Sequence, residues 1–426
     1  MFRFGNIIKK KESKDPEFTQ KTINKWKPLE KEFYELCNKI DQTNIKKISD
    51  KEFASLYKIF RNTYITEYSI PMMADTMGHF LEVDIEKKLI NFLKKKNKEK
   101  EYNKIINLLS KPVTTSFLGD EKYELFLIVK DYLEGKDIKK NIKEHSKKWH
   151  WIQNNYVRII ILDKKYFFFR VKEHSKNKKE VLNYINNYHS ELEKCKKEKE
   201  HLMKELEFNK ELRLLIKLTE EYTDWQDQRK KANLIAHYYI GLFLKEASKR
   251  TKINLQSLEY TTGFELEKIL EGKKVNIKEI KQRQKLTGVI FTPKKGNILN
   301  FEKAQQLEKE IDSFNKEDIF GDLRGNIANL GKATGKVKII KSHEDFHKMN
   351  KGDILVTSMT RPEFVPVMKK AAAIVTDEGG ITCHAAIISR ELGIPCIIGT
   401  KAATRILKDN DIIEVNANHG TVKKIK

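Results

Sequence analysis

Residues Thr376–Gly399 read TDEGGITCHAAIISRELGIPCIIG and follow directly on the apolar run Ala371–Val375. The pattern predicts a buried strand, a glycine-containing turn and then a short helix that begins beside His384. We expect this helix to end at Gly393, because a glycine followed closely by proline is a common C-terminal stop signal. This order of elements presents one histidine ring beside helix amide groups, where negative charge is favoured.

The residues just before His384 shape its loop in this prediction. Gly379 and Gly380 permit backbone conformations and close approaches that other residues resist. Thr382 is well placed to cap the helix with its hydroxyl group. Cys383 is either a small side chain packed at the helix start or a reactive thiol, and the packed role is the commoner one. The four cysteines lack metal-ligand spacing, so no metal site is predicted.

His384 itself is the candidate catalytic residue. A neutral imidazole is a good nucleophile near pH 7, and its phosphoramidate is labile enough to pass the phosphoryl group on. Arg361 and Arg390 are candidate cations for the phosphate oxygens, although a surface or ion-pair role is an equal alternative for each of them. The sequence therefore predicts a phosphocarrier histidine.

From Gly325 onward the sequence pattern is typical of an α/β domain. Short apolar runs predict strands, and helical stretches separate several of them. The predicted strands cover residues 336–340, 353–357, 372–376, 396–398 and 411–415. We place the domain boundary near residues 315–325 and the α/β domain at residues 325–426.

The chain before that boundary is predicted to be mostly helical. Residues 1–20 are polar and are expected to be a frayed tail, and residues 21–315 form the helical domain. Within it, residues 178–250 predict two long amphipathic helices, and alternation near residues 284–300 predicts a small hairpin. The expected fold class is a multidomain protein with a mostly α-helical N-terminal region and a C-terminal α/β domain.

Methionine and aromatic side chains are concentrated in the predicted helical domain. The stretch Tyr64–Phe80 reads YITEYSIPMMADTMGHF, and Pro71 marks a helix break or start within it. Such residues are more often core than the wall of a pocket. If they do line a pocket, it would suit an apolar or aromatic molecule and would be walled by Met72, Met73, Met77, Phe80, Trp149 and Trp151.

Composition excludes several classes of protein. The formal net charge of +24 is spread at nearly the same density over residues 331–426 and over the rest, which argues against a specific nucleic-acid footprint. The N-terminus has no apolar segment typical of a signal peptide. The longest apolar patch, residues 234–244, is too short to span a bilayer. We therefore expect a cytoplasmic protein without a membrane or nucleic-acid partner.

Five segments together resemble the swivelling phosphohistidine ("mobile") domain of the PEP-utilising enzymes. They are Thr360–Pro366 (TRPEFVP), Ala371–Gly380, Thr382–His384, Gly393–Pro395 and Gly399–Thr400, and the likeness extends over residues 325–426. The resemblance implies that His384 is the phosphorylated residue and that Gly379, Gly380 and Thr382 shape its loop. In some relatives a threonine at the position of Thr382 is a regulatory phosphorylation site, whereas capping alone also explains a hydroxyl group there.

The helical region is similar to the middle region of rifampin-phosphotransferase-like and PEP-synthase-like proteins, which in the rifampin enzyme binds the acceptor. Full-length relatives also carry an ATP-grasp domain, and many carry a PEP-binding barrel. Residues 1–320 show no phosphate-cradling glycine-rich loop, and the chain stops directly after the histidine domain.

Two functional hypotheses follow. In the first, the chain is the phosphocarrier and acceptor-binding component of an ATP-dependent dikinase-type phosphotransferase, and it binds no cofactor directly. An ATP-grasp subunit in trans would hold ATP and Mg²⁺ and would load His384. In the second, the chain is a non-catalytic regulatory or scaffolding protein that uses a phosphohistidine-type module.

Overall fold

The chain forms two compact units. The computed structural model describes residues 2–154, 159–291, 296–317, 323–380 and 383–425. The first unit, here called the helical unit, consists of Met1–Phe80 and Lys111–Glu308. The second, the sheet unit, consists of Leu81–Ser110 and Lys309–Lys426. The predicted fold class, a mostly helical N-terminal region and a C-terminal α/β region, is confirmed.

Helices make up most of the helical unit, and shorter ones cover the sheet. The α-helices found in the described ranges are α1 Phe2–Lys14, α2 Phe18–Gln42, α3 Asp50–Ser69, α4 Met72–Lys95, α5 Tyr102–Leu109, α6 Phe117–Leu133, α7 Lys139–Trp149, α8 Lys164–His174, α9 Lys178–Glu205, α10 Lys210–Thr251, α11 Leu255–Leu258, α12 Gly263–Leu270, α13 Ile277–Arg283, α14 Phe301–Glu317, α15 Val365–Met368, α16 His384–Leu392 and α17 Ala403–Ile406. Short 3₁₀ helices cover Glu99–Glu101, His343–Lys348 and Pro362–Phe364.

The strands found in the described ranges form one two-stranded antiparallel pair and one eight-stranded sheet. They are β1 Val289–Phe291, β2 Gly296–Ile298, β3 Leu323–Arg324, β4 Asn326–Asn329, β5 Lys332–Ile339, β6 Ile354–Thr357, β7 Ala373–Thr376, β8 Cys396–Ile398, β9 Ile412–Asn416 and β10 Thr421–Lys424. Strands β1 and β2 pair antiparallel, within the stretch for which the alternation predicts a hairpin.

The 42-residue helix α10 organises the helical unit. Its N-cap Asn209 accepts a hydrogen bond from the Leu212 amide group, which separates it from α9 as the pattern over residues 178–250 predicts. Phe243 of α10 packs on Phe53 and Phe60 of α3, and its ring centroid lies 5.2 Å from that of Phe60. A second apolar core joins α6, α7 and α8. Both cores lie within the helical unit.

Residues 1–20 are not the frayed polar tail that the sequence predicts. They contain α1 and the start of α2, and Ile8 is buried. The carboxylate of Glu12, which is 1% exposed, accepts hydrogen bonds from the Thr19 amide and hydroxyl groups at 2.8 and 2.7 Å. Lys217 Nζ lies 2.8 Å from the other carboxylate oxygen of Glu12. The prediction fails because a polar side chain such as Glu12 can be buried when its hydrogen-bonding groups are satisfied, and sequence polarity does not reveal that.

The sheet unit is built on an eight-stranded sheet in the order β3-β10-β9-β5-β6-β7-β8-β4. Strands β5, β6, β7 and β8 run parallel, and the remaining pairs are antiparallel. The strands predicted from residue 336 onward are all present. Every residue of β6 and β7 is buried, as is usual for parallel strands covered on both faces.

Residues along β6 and β7 alternate between two apolar cores. Leu355 and Ile374 belong to the core that contains Ala385 and Ala386 of α16. Ile354 and Val356, which point to the opposite face, belong to the core that contains Ala403 of α17. Helix α16 therefore packs on the face of the sheet to which Leu355 and Ile374 point.

Gly325 closes the sheet. It alone separates β3 from β4, yet these two strands stand at opposite ends of the strand order. Its amide group donates to the Gly420 carbonyl oxygen at 3.0 Å, and a Cβ atom at this position would lie 2.6 Å from the Ile398 carbonyl oxygen. Only glycine leaves room for the chain to pass between these two backbone segments.

We expect the substitution Gly325→Ala to destabilise the sheet unit by about 2 kcal/mol, because the added methyl group overpacks a backbone contact that cannot yield. This corresponds to a drop of roughly 5 °C in the thermal midpoint, measured by calorimetry on the full chain. Gly393→Ala is the control variant. Gly393 has φ +67° and open space around it, so an added methyl group there causes backbone strain but no steric clash. A drop for Gly325→Ala no larger than that for Gly393→Ala would contradict the closure argument.

Candidate active site

The loops that follow β6 and β7 lie side by side at the carboxyl edge of the sheet. Beyond the last strand pair, the Asp377 amide group donates to the Thr357 carbonyl oxygen at 3.1 Å, and the Glu378 amide group donates to Ser358 at 2.9 Å. The pairing of the two strands thus continues into their loops. In parallel α/β sheets this edge is where functional side chains meet.

His384 is the first residue of α16, and its ring contacts the neighbouring loop. The Oγ1 atom of Thr360, which is itself buried, lies 2.8 Å from His384 Nδ1. Cys383 precedes the helix as its N-cap, with an extended backbone and no side-chain capping bond. The imidazole is half-buried at the start of α16, where the first amide groups have no carbonyl partner within the helix.

The Thr360 contact decides which ring nitrogen of His384 can react. If Nδ1–H donates to Thr360 Oγ1, the lone pair of the neutral ring resides on Nε2. Because Nδ1 is engaged, Nε2 is the nitrogen available as a nucleophile. A hydroxyl group that accepts this hydrogen bond also stabilises the ring when it becomes positively charged.

The surroundings of His384 favour its neutral form. Burial lowers the pKa of the ring, and the negative charge of the exposed Glu363 opposes that shift without cancelling it. A histidine with a lowered pKa is largely neutral at pH 7 and keeps the lone pair that nucleophilic attack requires.

Gly379 and Gly380, in the loop between β7 and α16, both lie too close to neighbouring atoms to carry a side chain. Gly379 has φ +123°, and a Cβ atom there would lie 2.7 Å from Cys383 Sγ. A Cβ atom on Gly380 would lie 1.9 Å from Glu82 Oε2, within the same unit. Burial raises the pKa of the Cys383 thiol, which fits the packed role rather than the reactive one. Thr382 lies outside the described residues, so its predicted capping and regulatory roles stay predictions.

The two candidate cations are placed differently. Arg361 is exposed and directly follows Thr360, the residue that contacts His384. Arg390 stands in the last turn of α16, and its Nε donates to the Ala328 carbonyl oxygen of β4 at 2.8 Å. Burial lowers the pKa of the Arg390 guanidinium group. The sequence allows Arg390 either a structural role or contact with phosphate. The hydrogen bond to Ala328 is a structural contact.

Sequence reasoning assigned no role to Thr360 or Asp377. The buried Asp377 carboxylate accepts hydrogen bonds from the Thr400 hydroxyl group, at 3.3 Å, and from the amide and hydroxyl groups of Thr404. It therefore ties the loop after β7 to the start of α17. Asp377 directly follows β7 and Thr360 lies three residues past the end of β6, and this position at the carboxyl ends of parallel strands is the signal that could have identified them.

The candidate pocket residues separate into two groups. Met77 and Phe80 are buried in the core, as the commoner interpretation predicts, whereas Met72 is exposed. Trp149 and Trp151 line a cavity of about 260 Å³ inside the helical unit, whose walls contain none of these methionines and not Phe80. The two tryptophans therefore lie at a cavity, but the predicted methionines are not part of its lining.

Within the described ranges, no group of three or more histidine, cysteine, aspartate or glutamate side chains is arranged to hold a metal ion. Nor does any helix in those ranges have the length and hydropathy that crossing a bilayer requires.

We expect the protonation midpoint of His384, followed by NMR of its ring, to lie below the ordinary histidine value of about 6.5, because burial disfavours the charged form. Glu363→Gln removes the charge that stabilises the imidazolium and should lower the midpoint further. Glu391→Gln removes an exposed carboxylate at the far end of α16 and is the matched control. A midpoint that rises in Glu363→Gln, or that shifts equally in the control, would contradict this account.

The site lies in a stretch of the chain that is similar to known proteins. Residues 349–420 match the family described as PEP-utilising enzyme, mobile domain. A probable phosphoenolpyruvate synthase of Archaeoglobus fulgidus is 58% identical over 100 residues, which cover 24% of this chain and 13% of that protein. The phosphoenolpyruvate synthase of Pyrococcus furiosus is 47% identical over 122 residues, or 29% of this chain and 15% of that protein.

One relative is similar over a longer part of the chain. The uncharacterized phosphotransferase YvkC of Bacillus subtilis is 29% identical over 317 residues, which cover 68% of this chain and 37% of that protein. The chain thus spans well under half the length of each of these relatives. Residues 349–420, which hold the glycines before α16 and His384 itself, are thus similar to the mobile domain of the PEP-utilising enzymes.

Proposed function

We propose that this chain acts in phosphoryl transfer, with His384 as the residue that is transiently phosphorylated. The observation that carries the proposal is the 2.8 Å contact between Thr360 Oγ1 and His384 Nδ1 at the start of α16. It leaves Nε2 as the reactive nitrogen and places the ring beside amide groups that favour phosphate charge. The match of residues 349–420 to a mobile domain of the PEP-utilising enzymes supports the same role.

The chemical step follows from this geometry. The Nε2 lone pair attacks phosphorus, the new N–P bond forms, and the bond from phosphorus to the leaving oxygen breaks. Attack places positive charge on the ring while Nδ1 keeps its proton. The hydrogen bond from Nδ1–H to Thr360 Oγ1 stabilises that charge and preserves the ring as a good leaving group for the second transfer.

In this proposal the phosphoryl donor is ATP, held with Mg²⁺ by an ATP-grasp subunit in trans. The support is the similarity of the C-terminal domain to phosphoenolpyruvate synthases, each of which is far longer than the matched segment. The chain then serves as carrier and acceptor-binding component, and the helical unit holds a small-molecule acceptor. The match to a phosphotransferase over 68% of this chain, which extends beyond the mobile domain, supports a joint role of both parts.

We expect acid-labile label on His384 when the chain is incubated with ATP labelled in its β- and γ-phosphates and with lysate of its source organism. His384→Ala should lose the label, because the substitution removes the nitrogen that the proposal makes the nucleophile. His419→Ala removes an exposed histidine of the same unit and should keep it. Mapping by mass spectrometry at alkaline pH checks the position. Label that persists in His384→Ala, or no label on the native chain, would overturn the proposal.

Thr360→Val is expected to slow phosphorylation of His384 by roughly ten- to a hundredfold, because a charge-assisted hydrogen bond worth about 1.5–3 kcal/mol is lost. Thr360→Ser keeps the hydroxyl group and should retain most of the rate. The initial rate of label incorporation measures the effect. Equal rates in the valine and serine variants would show that the contact does not act in the reaction.

A further inference from the structure

Positive charge is concentrated on α7, α8 and the residues just before α8. Residues 139–149 and 160–174 contain nine lysine and arginine residues and three carboxylates, which gives +6 over 26 residues and is a quarter of the net charge of the chain. Charge is therefore clustered in the helical unit, although residues 331–426 and the rest of the chain have nearly the same average density. A cluster of this kind attracts an anionic partner.

Most of these cations have no acidic partner in the part of the chain that the structure describes. Arg170 pairs with Glu121, and Lys148 pairs with Glu124. The other seven are exposed lysines that form no ion pair with a described residue, four of them on α7 and three on α8. Their charge is not neutralised within the unit and remains available to a partner.

Apolar side chains project from the same segment. Phe169 is 68% exposed, Ile161 is 47% exposed and Phe168 is 38% exposed. The Phe168 ring lies 6.4 Å from that of Tyr132 on α6, and Lys172 Nζ lies 4.7 Å from the Phe168 ring centroid. Three large apolar side chains exposed within nine residues form a patch, which indicates a surface that binds a partner.

Helices α7 and α8 bury their other faces in one core, so the charged and apolar side chains point outward together. The rings of His145 on α7 and Phe167 on α8 lie 4.9 Å apart in an edge contact within that core. The exposed stripe of α8 has the spacing i, i+3, i+4 and i+7, and it consists of Lys165, Phe168, Phe169 and Lys172. This stripe places two phenylalanine rings between two lysines.

We propose that this surface binds a membrane that contains anionic phospholipids, with the Phe169 ring inserted at the boundary of the acyl chains and the lysines on the headgroup phosphates. The long stem of a lysine lets its ammonium group stay among the headgroups while a neighbouring ring enters the apolar layer. Apolar insertion and charge attraction together give reversible binding to a bilayer surface. The proposal does not depend on the role of His384.

The sequence alone led to the opposite expectation, that the protein has no membrane partner. That expectation rests on the length of the apolar segments and on the average charge density. Neither quantity reports a local cluster of exposed side chains on folded helices. Binding to a bilayer surface needs only such a cluster and no spanning segment.

Nucleic acid is the other anionic partner that a basic surface with aromatic rings attracts, and the side-chain types favour the lipid. Single-stranded nucleic acid stacks its bases on aromatic rings. Ile160 and Ile161 are exposed but offer no ring for stacking, whereas an apolar layer accepts them as it accepts phenylalanine. Arg170, the only arginine of the two segments, is already paired with Glu121, so no guanidinium group is left for bidentate phosphate contacts.

Vesicle binding by the full chain tests the proposal. We expect the chain to co-sediment with phosphatidylcholine vesicles that contain about 30% phosphatidylglycerol at about 0.1 M salt. Partition should fall by about tenfold with phosphatidylcholine alone or at about 0.5 M salt, where exposed charges are strongly screened. Equal partition into neutral and anionic vesicles, or no partition into either, would overturn the proposal.

Matched charge variants locate the contact. The double variant of Lys164→Gln and Lys172→Gln should lower partition by about tenfold, because two attractive charges are lost. The double variant of Lys25→Gln and Lys245→Gln removes the same charge from exposed positions on α2 and α10 and should retain most of the partition. Equal losses in the two variants would show that total charge and not this surface drives binding.

A tryptophan placed on the stripe reports insertion directly. The four native tryptophans are each at most 4% exposed, so brominated lipids in the anionic vesicles should leave their fluorescence unquenched. We expect Phe169→Trp to add fluorescence that these lipids quench, and Ile59→Trp, at a position 50% exposed on α3, to add fluorescence that they do not quench. Equal quenching in the two variants, or none in Phe169→Trp, would contradict insertion of this stripe.

Phe169→Ser separates the lipid from the nucleic acid. It should lower partition into anionic vesicles by about tenfold, because apolar burial is lost, and the exposed position should leave the thermal midpoint unchanged. Binding of poly(U), measured at the same salt, should not respond to this substitution. Poly(U) binding that Phe169→Ser weakens, without binding of the native chain to anionic vesicles, would make the surface a nucleic-acid site and overturn the proposal.

Discussion

The backbone hydrogen bonds that continue the β6–β7 pairing past the ends of both strands hold the site together. The amide groups of Asp377 and Glu378 donate to the carbonyl oxygens of Thr357 and Ser358, so two loops from separate strands move as one. Thr360 follows on one loop and His384 begins the helix after the other. Without this pairing the 2.8 Å contact between them would depend on two independently mobile segments.

The far end of α16 is held as firmly as its start. Asn329 Nδ2 donates to the Ile394 carbonyl oxygen at 2.9 Å, and Arg390 Nε donates to Ala328, so β4 binds both the helix and the segment that follows it. Strand β4 is itself fixed because Gly325 lets the chain close the sheet. A side chain on a rigid edge loses little conformational freedom when it reacts, which is what positioning in phosphoryl transfer requires.

The helical unit offers a different environment. Its cavity is lined by buried tryptophan and tyrosine side chains together with three lysines and the Asp41 carboxylate. The sheet unit presents a half-buried imidazole and helix amide groups, which suit a phosphoryl group but offer no aromatic slot around His384 among the contacts found there.

The sequence by itself determined the features that depend on neighbouring residues. The apolar runs predict the parallel strands, Gly393 with Pro395 predicts the end of α16, and the loop pattern singles out His384. The tertiary structure decided which distant residues meet. It folds residues 2–20 into α1 and the start of α2, where the buried Glu12 pairs with Thr19 and Lys217, and it includes residues 81–110 in the sheet unit. It also brings Thr360 to a ring 24 positions away. Such contacts escape sequence patterns, because periodicity reports the environment of each residue but not the identity of its partner.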